Sequence, residues 1–171
     1  AMASAWLADN YDRKRCYQDA GLSLVHAARW TTPEECLEHQ PLIDRQRGLV
    51  IFGDSRIDNR LQLIRELRLR PGSSGVITDI EIVGAAYGTW GDRCFSQLEG
   101  DYCLGIYNTG SRELILARDH VGFRPLYYAQ TREGFAFSTQ ATSLLELPGV
   151  SRSLDRECLQ SSLLHDAIPE N

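Results

Sequence analysis

Cysteine and histidine are the side chains of this sequence that most readily act as nucleophiles or metal ligands. The five cysteines are Cys16, Cys36, Cys94, Cys103 and Cys158, and the four histidines are His26, His39, His120 and His165. No CxxC pair occurs, and no histidine stands at ligand spacing from a cysteine or a carboxylate. We therefore expect no metal site, and we expect structural or surface roles for the histidines.

Cys16 has the most reactive setting of the five cysteines, because the basic run Arg13 to Arg15 precedes it. Positive charge favours the thiolate, which is the nucleophilic form of a thiol. The same run also fits a solvated basic turn with an inert cysteine. Cys94 and Cys103 stand among apolar and aromatic residues and fit a core. The odd number of cysteines indicates reduced, mostly structural thiols.

The composition indicates the number of domains and argues against several classes of partner. With 171 residues and 43% hydrophobic content, the chain can bury one core, so we expect a single domain over residues 1–171. A net charge of −5 makes nucleic acid and anionic membranes poor partners. No apolar run reaches the roughly 18 residues that a membrane span requires, and no signal pattern opens the chain, which indicates a cytoplasmic protein.

Apolar periodicity predicts an α+β domain. Short apolar blocks predict strands at residues 22–26 and 49–52, and four β-rich runs predict an antiparallel meander at 102–107, 113–117, 125–129 and 134–138. Leucines at helical spacing predict a helix from residue 59, before a loop at 71–75. Thr78 and Glu81 form a capping-box signature, which predicts a second helix that ends at Gly91. Two further helices are predicted near 140–147 and from 154.

Four sequence strings in fixed order carry a family resemblance. They are GDSRIDNR at 53–60, TDIE at 78–81, LEGDY at 98–102 and RDHVGFRPLYY at 118–128. They resemble the strings NGEIYN, GSDTEV, LNGMFA and RDxxGxKPLYY of B-type asparagine synthetases. The chain therefore resembles, from about Asp12 onward, the class II glutamine amidotransferase domain of that family.

The resemblance implies an N-terminal nucleophile hydrolase fold, a four-layer αββα sandwich of two antiparallel sheets. The family's first strand has no counterpart in this sequence, so we expect an unpaired sheet edge, which makes a homodimer a candidate assembly. We interpret RDHVGFRPLYY as mainly architectural, with Arg118 and Asp119 in a local ion pair. A role in domain docking is the alternative.

The family's nucleophile is an N-terminal cysteine whose own α-amino group acts as the base. Here the chain begins Ala1, Met2, Ala3, and fewer residues precede the segment at 8–12 that matches the family's HRGPD. We therefore expect no catalytic residue in this chain. A cut sequence, a late gene start and true loss of the strand all remain open explanations.

The glutamine pocket also departs from the family pattern. Asp54, Ser55 and Arg56 stand where the family has NGE, which supplies an oxyanion donor and a carboxylate for the substrate ammonium. An ionised aspartate cannot donate a hydrogen bond, and an arginine repels an ammonium. Arg29 and Asp79 match the family's carboxylate-binding arginine and second ammonium-binding aspartate.

We interpret Arg29, Asp54, Arg56 and Asp79 as a vestigial glutamine pocket. The retained Arg29 and Asp79 are expected to hold a structural salt bridge, with Arg56 and Asp54 as further partners. A pocket for another small anion or amide is the alternative.

The string at 54–60 resembles the version in asparagine synthetase homologues that close the macrolactam ring of lasso peptides. The resemblance implies that the parent protein uses ATP and magnesium in a C-terminal synthetase domain, and that the attacking amine belongs to a precursor peptide. No SGGxDS loop for pyrophosphate occurs in this chain, so we expect no cofactor here. The expected partners are that synthetase domain and the precursor peptide.

Two alternative functions stay open at the level of sequence. One is the glutamine-hydrolysing domain of a genuine asparagine synthetase whose cysteine strand was lost from the sequence. The other is a non-catalytic scaffold or binding subunit.

Overall fold

The computed structural model describes residues 11–19, 21–72 and 75–164, and of residues 162–164 the backbone alone. The strands of this part are β1 (Arg13–Asp19), β2 (Leu22–Ala28), β3 (Leu42–Asp44), β4 (Leu49–Ile57), β5 (Gly100–Asn108), β6 (Glu113–Arg118), β7 (Tyr127–Thr131) and β8 (Gly134–Ser138). The helices are α1 (Arg60–Glu66), α2 (Asp79–Trp90), α3 (Ala141–Leu145) and α4 (Arg156–Leu164), with short 3-10 turns at Glu35–Leu37 and Gly91–Ser96. The predicted α+β class is confirmed.

A four-stranded antiparallel sheet in the order β3-β4-β5-β6 forms the centre of the domain. Side chains alternate along β4, because successive residues of a strand point to opposite faces. Ile51 and Ile57 belong to the larger apolar cluster on one face, and Val50 and Phe52 belong to a second cluster on the other. Asp54 lies two residues beyond Phe52, so the polar site begins where the second cluster ends.

Helix α2 covers the first face of the sheet. Ile80, Ile82 and Val83 are fully buried there, and burial of such a side chain stabilises the fold by about 1.5–3 kcal/mol. The predicted capping box is present, since the Thr78 amide donates to Glu81 Oε2 at 2.8 Å. The helix ends at Trp90, and its C-cap is Gly91, whose φ of 58° lies in the left-handed region that glycine tolerates.

Two hairpins, β1–β2 and β7–β8, cover the second face. Leu22 and Leu24 of β2 join the cluster around Phe52, and Phe137 of β8 stacks on Phe52 with ring centroids 5.5 Å apart. Helix α3 contacts both strands of the second hairpin. The expected αββα sandwich is thereby confirmed, and in the described residues its second β-layer consists of these two hairpins.

Three details of the sequence-based prediction are wrong. The sequence predicts only a polar stretch at 10–15, but strand β1 begins at Arg13. The strand was not predicted because most of its side chains are exposed, so it has no apolar pattern. The last four strands are not one meander, since β6 pairs with β5 and β7 pairs with β8 in another sheet. Asp119 forms no ion pair with Arg118 among the described residues. Its carboxylate instead accepts backbone N–H groups of the turn between the two sheets.

Among the described residues, none of the helices has both the length and the apolar character that crossing a bilayer requires.

Candidate functional site

A groove of about 1250 Å³ runs between the two hairpins over the second face of the central sheet. Its walls come from β2 and β8, and its floor comes from β4, β5 and β6. Most of the lining is apolar. At one end the groove becomes polar, where Arg29, Asp54 and Arg124 meet Glu35 and Glu38. This polar end is the candidate functional site.

Asp54 binds Arg124 at this end of the groove. Arg124 Nη1 donates to Asp54 Oδ2 at 2.9 Å, and the two residues are 70 positions apart in the sequence. Partial burial raises the pKa of Asp54, and the positive charge of Arg124 offsets part of that rise. About half of the Asp54 side chain stays accessible, at 52%, so solvent weakens the pair.

Asp79 lies in a second, smaller pocket of about 220 Å³, at the N-terminus of α2. Its Oδ2 accepts the Ile57 N–H at 2.9 Å, and its Oδ1 lies 3.6 Å from Arg60 Nε. Burial raises the pKa of Asp79, whereas the Ile57 amide and the Arg60 charge lower it in part. Arg56 lines the same pocket, but its Nε pairs at 3.3 Å with the exposed Asp58.

Arg29 follows directly after β2 and is exposed. Its guanidinium lies 5.1 Å from the centre of the Tyr11 ring, a cation–π distance. The Tyr11 hydroxyl in turn accepts a hydrogen bond from Gln140 Nε2 at 3.2 Å. Arg29 thus contacts Tyr11, and Tyr11 is bonded to Gln140, so that three groove-lining residues from the two hairpins are linked.

The four predicted pocket residues are divided between two cavities. Arg29 and Asp54 line the groove, and Arg56 and Asp79 line the smaller pocket. Glu35 and Glu38 line both cavities and form their common wall. The expected ion pairs among these four residues are wrong for the described structure, because Arg124, Asp58 and Arg60 provide nearer partners.

A chain of partly buried hydrogen bonds supports the wall between the two cavities. The Gly53 N–H donates to Gln40 Oε1 at 2.7 Å, and Gln40 Nε2 donates to Glu38 Oε1. Glu38 Oε2 accepts the Ile80 N–H at 3.2 Å, at the start of α2. Burial raises the pKa of Glu38, and its bonds from Gln40 and Ile80 offset part of the rise. This chain fixes β4 relative to the helix.

The thiols of the described core are unsuited to nucleophilic chemistry. Cys103 lines the groove but is 5% exposed, and burial raises its pKa to about 11, with Asp54 and Asp119 adding to the effect. Cys94 is fully buried, and burial likewise raises its pKa to about 11. Among the described residues, no three His, Cys, Asp or Glu side chains assemble into a metal site.

Sequence reasoning missed the residues that support the site. Arg124 belongs to the RDHVGFRPLYY string, which sequence alone indicates to be architectural, because the partner of Arg124 lies 70 positions away. Glu38 and Gln40 stand in a segment without regular periodicity. The sequence signal for them is weak: an acidic residue two positions before a Gln-Pro pair, whose glutamine is buried in the structure. The predicted absence of a nucleophile concerns residues 1–3, which lie outside the described residues.

Comparison with known proteins shows the family of this chain. Residues 9–171 match the sequence model described as "Glutamine amidotransferase domain". A relative named "Putative asparagine synthetase [glutamine-hydrolyzing]" from Mycobacterium tuberculosis (strain ATCC 25618 / H37Rv) is 31% identical over 146 residues, which is 83% of this chain and 21% of the relative. "Asparagine synthetase [glutamine-hydrolyzing] 1" of Bacillus subtilis (strain 168) is 28% identical over 131 residues, 77% of this chain and 21% of the relative.

A solved structure agrees with these matches at the level of fold. It is the glutamine phosphoribosylpyrophosphate amidotransferase of B. subtilis complexed with ADP and GMP, with a TM-score of 0.55 and 22% identity over 70% of this chain and 28% of that chain. The chain spans about a fifth of the length of the curated relatives it matches. The match to nearly all of its residues shows that this chain belongs to the family of glutamine amidotransferase domains.

Proposed function

We propose that this domain is an amidotransferase-like part of an ATP-dependent, amide-forming ligase of the asparagine synthetase type, and that it does not hydrolyse glutamine. The observation that carries this proposal is the Asp54–Arg124 pair. Asp54 stands at the position where the asparagine synthetase pattern has a neutral residue that donates a hydrogen bond to the oxyanion.

The chemistry of amide hydrolysis explains why this pair matters. Attack on the amide carbonyl places negative charge on its oxygen, and a fixed donor at that oxygen accelerates the reaction by about 10²–10³. The Asp54 carboxylate accepts hydrogen bonds and carries negative charge itself, so it opposes this charge. The same Arg124 group that could compensate is already donating to Asp54.

The second cavity also argues against glutamine. An amino acid needs its carboxylate and its ammonium bound at one site, but Arg29 and Asp79 line different cavities that share the wall of Glu35 and Glu38. Asp79 Oδ2 already accepts the Ile57 amide, and the Arg60 charge lies 3.6 Å from Oδ1, which has no hydrogen-bond partner among the described residues. Arg56 beside it adds positive charge where an ammonium would have to bind.

Within this class we propose a lasso peptide cyclase. The string at 54–60 supports this choice, since it resembles the version in cyclases of that kind. In such a reaction the peptide supplies its own amine, so ammonia from glutamine is unnecessary and loss of the glutamine pocket carries no cost. ATP and magnesium would bind in another domain of the full-length protein and would activate the side-chain carboxylate there.

The test uses the full-length natural protein with ATP, magnesium and the precursor peptide encoded beside its gene. We expect ring closure, seen by mass spectrometry as loss of one water from the peptide, at a rate unchanged by added glutamine. A parallel assay with glutamine and aspartate is expected to release no ammonia. Glutamine-dependent product, or ammonia release that thiol alkylation abolishes, would contradict the proposal.

A second candidate function is glutamine hydrolysis in a genuine asparagine synthetase. Two observations favour it: Arg29, which matches the family's carboxylate-binding arginine, lines the groove and is exposed, and Arg124 Nε is buried without a hydrogen-bond partner in the described structure. An oxyanion could accept from that nitrogen. The same ammonia assay separates the two functions, because only the second one predicts alkylation-sensitive release.

A further inference from the structure

The β1–β2 hairpin forms one wall of the groove without sharing a sheet with the strands of the floor. In the described part of the chain, β1 and β2 pair only with each other. All of residues 21–29 line the groove. Because successive side chains of a strand point to opposite faces, such an unbroken run shows that the edge of β2 faces the groove. In the described structure, side chains rather than a backbone ladder therefore attach this wall to the central sheet.

The apolar part of this attachment is small. Of the described residues of the hairpin, only Leu22 and Leu24 are buried, and Tyr17 packs beside them against the cluster around Phe52. The other side chains of β1 are exposed or half-buried. A segment with few buried apolar contacts opens locally at a lower free energy than the whole domain unfolds.

Two polar side chains add specific anchors. The Arg13 guanidinium donates to the carbonyl of Glu38 at 2.6 Å and to that of Cys36 at 3.0 Å, where the hairpin begins. Within β2, the ring of His26 forms a hydrogen bond with the backbone of Gly53 on β4. The hairpin is thus fixed to the residues that form the polar site.

The His26 anchor is sensitive to acid. Burial lowers the pKa of His26, and the bond with Gly53 offsets part of that effect. In a released hairpin the imidazole is hydrated and takes up a proton at its ordinary pKa of about 6.5. Acidification below this value therefore favours the released state over the attached one.

Other ionisable groups flank His26 and act in the opposite direction or not at all in this pH range. They are Arg15 on β1, Arg29 after β2, Glu35, Glu38 and His39 before β3, Asp54 on β4 and Arg124 across the groove. Burial raises the pKa of Glu38 and Asp54, so uptake of protons by these carboxyls favours the attached hairpin as pH falls. Replacement of His26 separates its effect from theirs.

These contacts describe a wall that is able to open as a unit. We propose that the β1–β2 hairpin is a gate of the groove, which swings away from β4 and does so more often once His26 is protonated. Opening widens the groove along β2 and withdraws Arg29, which follows β2, from the polar end. This regulation goes beyond the proposed function and holds whether or not the domain hydrolyses glutamine.

The test is amide hydrogen exchange of the full-length natural protein at pH 7.5, 6.5 and 5.5, with rates divided by the intrinsic chemical rate at each pH. Protection of peptides within residues 13–28 should fall at least about threefold between pH 7.5 and 5.5, and by at most about tenfold per pH unit. The β7–β8 hairpin contains no histidine and is the matched control. Its protection should stay constant, because its local opening leaves His26 in place.

Variants identify the group that titrates. His26→Gln keeps a donor for Gly53 but cannot titrate, so protection of the first hairpin should no longer fall with pH. His39→Gln, at an exposed position, should behave as the wild type. Exchange through the gate should also depend weakly on dilute urea, since local opening exposes less surface than global unfolding.

Constant protection of the first hairpin in the wild type would overturn the proposal. An equal loss of protection in both hairpins would do the same, since global unfolding would then account for the exchange. This comparison lies within one protein, so it decides the matter even where His26→Gln is unstable. A pH dependence that persists in folded His26→Gln would assign the effect to another group and would also contradict the gate.

Discussion

Arg124 Nη1 lies 2.9 Å from Asp54 Oδ2, although the two residues are 70 positions apart in the chain. This contact joins β4 to the turn between β6 and β7. It provides Asp54 with a protein partner at the position that the family pattern assigns to the substrate pocket. The proposed absence of glutaminase activity depends on this contact.

The first prediction concerns the charge of Asp54. Arg124→Met removes the cation that favours the ionised carboxylate, so the pKa of Asp54 should rise further, as measured by carbon NMR titration of the carboxyl group. Because the pair is partly exposed, the free energy of unfolding should fall by no more than about 1 kcal/mol. Arg132→Met, on the exposed turn of the second hairpin, is the control. An unchanged Asp54 titration in Arg124→Met would show that the pair does not form in solution.

The second prediction concerns the chain of hydrogen bonds behind the site. Gln40 is 4% exposed, and Gln40→Ala leaves the Gly53 N–H and the Glu38 carboxylate without their buried partner. We expect the free energy of unfolding to fall by about 1–3 kcal/mol in urea denaturation. Gln130→Ala, at an exposed position, should stay within about 0.5 kcal/mol. Equal stability of the two variants would show that the hydrogen bonds of Gln40 do not stabilise the fold.

The third prediction concerns cysteine reactivity. Burial raises the pKa of Cys94 and Cys103 to about 11, so at pH 8 roughly a thousandth of each thiol is ionised. Iodoacetamide should therefore modify the exposed Cys16 at least about a hundredfold faster than either buried thiol, as followed by peptide mass spectrometry. Rapid modification of Cys103 in the folded protein would contradict this expectation and would show that the groove contains a reactive thiol.

The fourth prediction concerns stability at mildly acidic pH. Burial lowers the pKa of His26, and a backbone hydrogen bond with Gly53 offsets part of that effect. Below about pH 6.5 the unfolded chain therefore binds the proton more readily than the folded one, and stability falls as pH decreases, by at most about 1.4 kcal/mol per pH unit.

The measurement for His26 is urea denaturation between pH 7.5 and 5.5. His26→Gln should flatten this part of the pH dependence, whereas His39→Gln, at an exposed position, should preserve it. If both variants keep the slope of the wild type, His26 titrates normally in the folded state.

Local sequence determined the elements that carry their own signals. The capping box at Thr78 and Glu81 satisfies helix donors within one turn, and Gly91 ends the same helix by its positive φ. The strand at Gly134–Ser138 has the predicted bounds, since short apolar runs between turn residues need no distant partner to be recognised. The family resemblance and the αββα sandwich followed from the order of four such strings.

The tertiary structure alone decided the partners. The type of Asp54 was readable in the sequence, but its pairing with Arg124 depends on how the turn after Asp119 crosses between two sheets. The separation of Arg29 from Asp79 by Glu35 and Glu38 likewise depends on packing of the segment before β3. Strand β1 escaped prediction because its stability comes from pairing with β2 and not from its own apolar pattern. Charge pairs and edge strands are fixed by distances in space, whereas periodicity reports only what neighbours in sequence share.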